Sequence, residues 1–145
     1  IALQAAIEIG KRYNLEKMAE RPDLGSSLAI YNFIHPKVRD LEVEEAHLLL
    51  MNQNFRLIKH VKLSVGGITE TAVDVRRIMR EAVLNNATIL ALSHNHPSNS
   101  PKPSRADDTL THQIKAACDL MRIFFMDHVI AADGSFYSYH DKGKL

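Results

Sequence analysis

Two histidines and an aspartate are the residues whose types and spacing most favour chemistry in this chain. His94 and His96 are separated by one residue and follow the apolar run 87–93, which is typical of a buried strand. Alternate residues of an extended chain point the same way, so both imidazoles can face one point. The run Ser104-Arg-Ala-Asp107 is a helix-start signature with Ser104 as N-cap, which returns a carboxylate to the histidines.

This set predicts a site for one metal ion. Two neutral imidazoles and one carboxylate leave a fourth position open at zinc, whereas structural zinc sites usually close with four protein ligands. Taken singly, each residue has a simpler interpretation: Asp107 as a capping-box acid, and each histidine as a hydrogen-bonded polar group at a strand end. The combined spacing, with Pro97 directly after His96, favours metal binding by His94, His96 and Asp107.

The same run resembles a known family motif. His94-Asn-His-Pro97, six further residues and then Ser104-x-x-Asp107 is similar to the JAB/MPN/Mov34 (JAMM) metalloprotease motif, in a form close to that of the bacterial RadC group. Three other segments resemble parts of the RadC domain. Glu44-Glu45 followed by 48–52 resembles the start of its first long strand, and 127–130 with 136–138 resemble its closing strands. Residues 5–12 resemble the helix that precedes the domain. The chain departs from that pattern at Ala46, His47 and Asn99, where bulky apolar residues or glycine are common.

The resemblance implies roles for the predicted ligands and for an acid. In JAMM enzymes two histidines and an aspartate hold zinc, so one zinc ion is expected on the three ligands named above. An upstream glutamate acts there as the base, and its place in the strand implies Glu44, with Glu45 as the alternative. A carboxylate so placed can take a proton from water and pass it to a leaving amine.

Ser104 has two compatible roles at this stage. Its oxygen can cap the following helix, and the matching serine of the family lies close to zinc, where its hydroxyl helps to stabilise an oxyanion. Ser104 is not expected to be a nucleophile, because no histidine at suitable spacing activates it. The lone Cys118 lies among small apolar neighbours in the predicted helix 105–121 and is expected to pack in the core.

The resemblance implies a zinc metallopeptidase of the JAMM type that hydrolyses peptide or isopeptide bonds in a polypeptide or another amide-bearing substrate. The alternative is an accessory or interaction domain associated with DNA repair, as the RadC name is, whose metal site is structural or vestigial. The complete ligand set with an upstream acid favours the hydrolase. A metal-dependent nuclease would usually gather more carboxylates for magnesium than this motif offers.

Composition limits the class of protein. The formal net charge is +1 with scattered basic residues, so no nucleic-acid binding is predicted for this segment. One cysteine excludes an intrachain disulfide, and no apolar run approaches the roughly 18 residues of a membrane span. With no basic-then-apolar leader, a soluble, cytoplasmic protein is expected. The chain opens at Ile1 inside a helical pattern without an initiator methionine, so we expect a trimmed or processed fragment.

The elements that must position these residues follow from hydrophobic periodicity. Helices are predicted over 2–13, from Pro22-Asp23 to Pro36 with Leu24, Leu28, Tyr31 and Ile34, from Thr71 to about 85, and over 105–121. Strands are predicted over 44–51, 55–65, 87–93, 123–132 and 135–139, the first two as a hairpin and the second ended by Gly66-Gly67.

This order predicts an α+β fold, a mixed β-sheet with packed helices, and the resemblance makes it a single domain of the JAMM (cytidine-deaminase-like) metalloprotease type. Residues 1–36 are predicted as a helical lead-in and 37–145 as the RadC-like JAMM domain. His128 is predicted to be a hydrogen-bonded core histidine near the site, and Asp127 is a candidate to orient a metal-bound histidine.

Overall fold

The computed structural model describes residues 1–66 and 73–145, apart from the side chains of 17–19. The predicted element order is confirmed. The helices are α1 Ala2–Ala19, α2 Ser27–Val38, α3 Val75–Leu84 and α4 Arg105–Met121; the strands are β1 Glu45–Met51, β2 Leu57–Val65, β3 Ile89–Asn95, β4 Phe124–Ala132 and β5 Ser135–Ser138. The predicted helix start at Thr71 and the predicted role of Gly67 lie outside the described residues.

The five strands form one mixed sheet in the order β2-β1-β3-β4-β5. Only β3 and β4 are parallel, and α4 makes the crossover between them, while every other neighbouring pair is antiparallel. The predicted α+β fold with a mixed sheet is therefore confirmed. Since β3 leads into the start of α4, the residues at the carboxyl end of β3 lie next to the first turn of that helix.

Helices cover both faces of the sheet, and strand parity decides which face a side chain reaches. Leu48 and Leu50 of β1 belong to the core cluster shared with α3 and α4, whereas Leu49 and Met51 belong to the cluster shared with α2. Cys118 is buried in the first cluster, as expected, and burial raises the pKa of its thiol to about 12. Its thiol therefore stays protonated, which is unsuited to nucleophilic attack.

The second helix differs from the prediction at both ends. Residues before it pair with the β1–β2 hairpin instead, through Leu24 N–H to the Phe55 carbonyl at 2.9 Å, and the helix is capped by Ser26. It also continues through Pro36 to Val38. Proline removes one backbone hydrogen bond, but burial of Val38 in the core offsets that loss.

The core face of α2 also differs from the predicted stripe. Leu28 is 55% exposed, and Ile30, Ile34 and Val38 are the side chains buried against the sheet. Capping at Ser26 places the helix on the sheet with this face inward. The predicted boundary between residues 36 and 37 stays a prediction.

The first helix is longer than predicted and is exposed over its described side chains, with Leu3 at 74% and Ile7 at 51%. Its apolar face therefore contributes nothing to the core formed by residues 1–66 and 73–145. Within those same ranges, no helix is both long and apolar enough to cross a membrane.

Candidate metal centre

The carboxyl end of β3 and the first turn of α4 bring the three predicted ligands together. His94 is inside β3 and His96 directly follows the strand, so the pleat directs both rings the same way, with 3.0 Å between their Nε2 atoms. Asp107 Oδ1 lies 3.2 Å from His94 Nε2, and Oδ2 lies 3.4 Å from His96 Nε2. One ligand atom from each residue lies within 4.8 Å of the others, as a shared metal ion requires.

Asp107 forms the helix cap and also faces the two histidines. Its Oδ2 accepts the Ser104 N–H at 2.8 Å, while Ser104 Oγ accepts the Asp107 N–H at 3.1 Å, which completes the predicted capping box of α4. The cap fixes the carboxylate at the helix start, where it also faces His94 and His96. Capping therefore positions a possible metal ligand instead of competing with that role.

The electrostatics of the three residues suit a cation. Burial on its own raises the pKa of the Asp107 carboxyl, but hydrogen bonds with His94 and His96 outweigh it and hold that pKa well below its usual range. The hydrogen bond to Asp107 raises the pKa of His96, and the negative charge of Glu44 acts in the same direction. Two imidazoles beside an ionised carboxylate are a donor set that zinc accepts, so these residues fit a divalent metal ion.

The loop after β3 fixes the orientation of the His96 ring. His96 Nδ1 lies 2.8 Å from the Ser100 carbonyl, which can only accept, so Nδ1 carries a proton and Nε2 is the ring nitrogen left for a metal ion. Asn99 adopts a left-handed backbone with φ of 60°. Asparagine tolerates that conformation better than most residues other than glycine, so the loop accommodates Asn99. A cavity of about 180 Å³ adjoins His96 and is lined by α2, this loop and the β4–β5 turn.

Strand parity separates Glu44 from Glu45. Ala46 pairs with His94 across the sheet and faces the α3–α4 core, and Glu44, two residues earlier, has the same parity. Glu44 is half-buried, and its charge acts on His96. Its backbone carbonyl accepts the Gly66 N–H at 2.7 Å, which ties the segment to the end of β2.

The carboxylate of Glu45 belongs to a different cluster on the α2 side of the sheet. Glu45 Oε2 lies 3.1 Å from His47 Nε2, and Oε1 accepts from Lys62 Nζ at 3.2 Å. His47 Nδ1 in turn lies 2.8 Å from His60 Nε2. These bonds give the buried His47 polar partners, and β1 has a register shift between Ala46 and His47.

Sequence reasoning missed Asn95, the residue between the two histidines. Its Oδ1 accepts the Glu45 N–H at 2.7 Å and its Nδ2 donates to the Val43 carbonyl at 3.0 Å. The side chain therefore holds the backbone on both sides of Glu44. Its place inside the His-x-His motif was the one available signal, and it did not reveal a contact 50 residues away in the chain.

His128 confirms the prediction of a hydrogen-bonded core histidine near the site. Its Nε2 lies 2.8 Å from His94 Nδ1, and its Nδ1 lies 2.6 Å from Thr111 Oγ1. Burial holds the pKa of His128 well below its usual value, so the ring is neutral. The interpretation of Asp127 as an orienting residue is not supported. Its carboxylate accepts from Ser138 Oγ at 2.6 Å and from the His140 N–H at 3.0 Å.

Comparison with known proteins agrees with this geometry. The family model of the RadC-like JAB domain matches residues 24–144, beginning inside the segment predicted as a lead-in. A relative named "UPF0758 protein" from Porphyromonas gingivalis is 38% identical over all of this chain and 64% of its own length. One of the same name from Haemophilus ducreyi is 40% identical over 98% of this chain and 64% of its own length. The chain thus spans under two thirds of each, and it belongs to the RadC-like JAB domain family.

Proposed function

We propose that this domain is a zinc-dependent hydrolase of peptide or isopeptide bonds, acting on a polypeptide or another amide-bearing molecule. The convergence of His94, His96 and Asp107 on one point carries the proposal. Zinc is favoured over magnesium because two of the three donors are imidazole nitrogens, whereas magnesium prefers an oxygen-rich octahedral shell. Three protein donors also leave room for water and substrate, as in catalytic zinc sites.

A zinc ion held there would polarise a substrate carbonyl and make water acidic enough to deprotonate near neutral pH. The residues of the chain supply the remaining steps. Glu44 lies two residues before Ala46, which pairs with His94, so its side chain is expected on the same face of the sheet as His94. Its charge also acts on His96, so its carboxylate is suited to take the proton from the attacking water. When the C–N bond breaks, the protonated Glu44 returns that proton to the departing amine.

Ser104 is suited to the oxyanion that develops on the substrate carbonyl. Its Oγ uses a lone pair to accept the Asp107 N–H, so the hydroxyl proton can be donated elsewhere. Ser104 is exposed beside the buried Asp107, where a substrate has access to it. We assign Ser104 an oxyanion-stabilising role in addition to its capping role.

The cavity beside His96 is suited to hold part of the substrate. Its polar lining includes Arg39, Asn95 and Asp133, and its volume of about 180 Å³ accommodates a polar side chain. The buried, protonated thiol of Cys118 fits a reducing compartment, and we expect the protein to work in the cytoplasm.

A cleavage screen with two matched acid variants tests the proposal. The zinc-loaded protein is incubated with peptide and isopeptide libraries, alongside Glu44→Gln and Glu45→Gln. We expect Glu44→Gln to bind zinc and lose hydrolysis, and Glu45→Gln to retain hydrolysis because its carboxylate lies on the other face of the sheet. Unchanged cleavage by Glu44→Gln would reject Glu44 as the base.

The same screen separates the hydrolase from an accessory domain associated with DNA repair. Stoichiometric zinc with no cleavage of either library by the wild-type protein would favour an accessory or interaction role with a structural metal site. Failure to bind zinc at all would reject both the metal centre and the hydrolase.

A further inference from the structure

Two ligands on different elements are joined by one chain of hydrogen bonds. His94 Nδ1 lies 2.8 Å from His128 Nε2, and His128 Nδ1 lies 2.6 Å from Thr111 Oγ1. Thr111 Oγ1 in turn donates to the backbone carbonyl of Asp107 at 2.7 Å. This series of hydrogen bonds starts on β3, passes through β4 and ends on α4. It therefore connects His94, the proposed ligand on the strand, to Asp107, the proposed ligand on the helix.

Only one arrangement of protons satisfies every bond when His94 Nε2 faces a cation. His94 Nε2 must then present a lone pair, so His94 Nδ1 carries the proton and donates to His128 Nε2. His128 therefore carries its own proton on Nδ1 and donates it to Thr111 Oγ1. The Thr111 hydroxyl proton remains for the Asp107 carbonyl, which can only accept.

The surroundings hold this chain rigidly. His128 is fully buried, and the ring of Tyr139 stacks on it with 5.0 Å between centroids and 8° between planes. Tyr139 Oη donates to Asp108 Oδ1 at 2.7 Å, which links the stacked ring to the first turn of α4. The position of His128 is thus also set by Tyr139 and Asp108, which lie outside the candidate metal centre.

We propose that His128 and Thr111 are positioning residues that fix His94 in the Nδ1–H form and hold it in register with Asp107. The proposal rests on the proposed metal centre and adds the groups that prepare its ligands. Outer partners of metal-bound histidines set the proton position and the ring orientation, and their loss typically weakens metal affinity by about 10–100-fold.

Zinc affinity, measured by competition with a chromophoric chelator, tests the Thr111 link with a matched pair. Thr111→Val removes the hydroxyl but keeps the shape, whereas Thr111→Ser keeps the hydroxyl. We expect Thr111→Val to bind zinc about 10-fold more weakly and Thr111→Ser to bind like the wild type. Equal affinities for the two variants would overturn the role of Thr111.

His128→Leu is compared with His47→Leu, a buried histidine in its own hydrogen-bonded pair on the other face of the sheet. We expect a loss of about 10–100-fold in zinc affinity for His128→Leu alone, with both variants losing thermal stability. Nitrogen-15 NMR of the zinc-loaded protein should show His94 protonated on Nδ1, with that proton in a hydrogen bond, in the wild type and should show the loss of this hydrogen bond in His128→Leu.

The outcomes separate this inference from the proposed function. A wild-type protein without zinc affinity would reject the metal centre, whereas wild-type zinc affinity and an unchanged His94 Nδ1–H resonance in zinc-loaded His128→Leu would reject only the positioning role. If His128→Leu does not fold, the Thr111 pair decides, since valine preserves the packing volume of threonine and serine preserves its hydroxyl.

Discussion

Asn95 holds the peptide groups on both sides of Glu44, accepting the Glu45 N–H at 2.7 Å and donating to the Val43 carbonyl at 3.0 Å. The middle residue of the His-x-His motif therefore ties the proposed base to the strand that carries the ligands. Because β1 pairs with β3, this connection fixes the distance between the proposed base and the candidate ligands, which a flexible loop would leave variable.

Replacing Asn95 by leucine should separate base positioning from metal binding. The variant leaves the N–H of the buried Glu45 unpaired and removes the donor to the Val43 carbonyl, so we expect a loss of about 1–3 kcal/mol in the free energy of unfolding. Hydrolysis should fall by up to about 100-fold because Glu44 is no longer held, while zinc affinity stays close to that of the wild type.

Asn52→Leu is the control for Asn95→Leu, since the Asn52 side chain also accepts backbone N–H groups, from Asn54 and Arg56, but in the distant β1–β2 turn. It should lose stability and keep hydrolysis. Urea unfolding, zinc competition and peptide cleavage measure the three quantities. Wild-type hydrolysis by Asn95→Leu would contradict the positioning of Glu44 by Asn95.

The two roles of Ser104 can be separated by glycine and alanine. Glycine is tolerated at an N-cap with a loss of a few tenths of a kcal/mol, whereas alanine costs about 1 kcal/mol. If the hydroxyl stabilises the oxyanion, both variants should lower kcat by about 100- to 1000-fold regardless of their stability. Steady-state cleavage kinetics and thermal unfolding measure the pair, and Ser104→Thr keeps both functions. Wild-type kcat in Ser104→Gly would limit Ser104 to capping.

Zinc should stabilise the fold through Asp107. A ligand at about 100 times its Kd adds roughly 2.7 kcal/mol to the free energy of unfolding, so zinc should raise the Tm and a chelator should reverse the rise. Asp107→Asn keeps an oxygen for the Ser104 N–H but loses the charge, so the zinc response should largely disappear.

Asp108→Asn, the adjacent carboxylate that accepts from Tyr139, is the control for Asp107→Asn and should keep the zinc response. Differential scanning fluorimetry with and without zinc compares the two variants. Equal zinc responses in both would exclude Asp107 as a ligand.

Acid should destabilise the protein through His60. Burial, helped by the charges of His47, Lys37 and Lys62, lowers the pKa of His60 from 6.5 to about 4. Unfolding therefore takes up a proton between these values: the contribution to stability is fully present above pH 6.5 and is lost as pH falls towards 4. Each such proton changes the free energy of unfolding by at most about 1.4 kcal/mol per pH unit.

Urea titrations from about pH 7 to about pH 4 test this dependence in the wild type and in His60→Gln. The variant should show a shallower loss of stability on acidification, since its side chain cannot titrate. An identical acid slope in the two proteins would show that His60 does not carry this dependence.

Much of the candidate site was predictable because its signals are local. The single-residue spacing of His94 and His96 in an extended segment sets their common direction, and Ser104-x-x-Asp107 sets the capping box. Both depend on backbone geometry within a few residues, so tertiary packing had little scope to alter them. The same holds for α4, whose bounds Arg105–Met121 agree with the predicted helix.

Predictions failed where the outcome depended on distant partners. The sequence predicts that Pro36 ends a helix, but burial of Val38 against the sheet carries α2 beyond it. The sequence offers Asp127 as a candidate orienting residue, yet its partners Ser138 and His140 come from β5 and the residues after it. Secondary-structure propensity depends on the residues close by in the sequence. It could not reveal these contacts, because they are made with other helices and strands.

The sequence by itself determined the types and spacing of the candidate ligands, the capped helix that carries Asp107 and the family. The tertiary structure alone decided the face on which Glu44 lies and the hydrogen bonds by which Asn95 holds the residues beside it. It also decided the series of hydrogen bonds that runs from His94 through His128 and Thr111 to Asp107. The physical reason is the distance along the chain over which each interaction acts. The alternation of side chains in a strand and the cap of a helix act over two to four residues, whereas strand pairing and helix packing join side chains that lie far apart in the sequence.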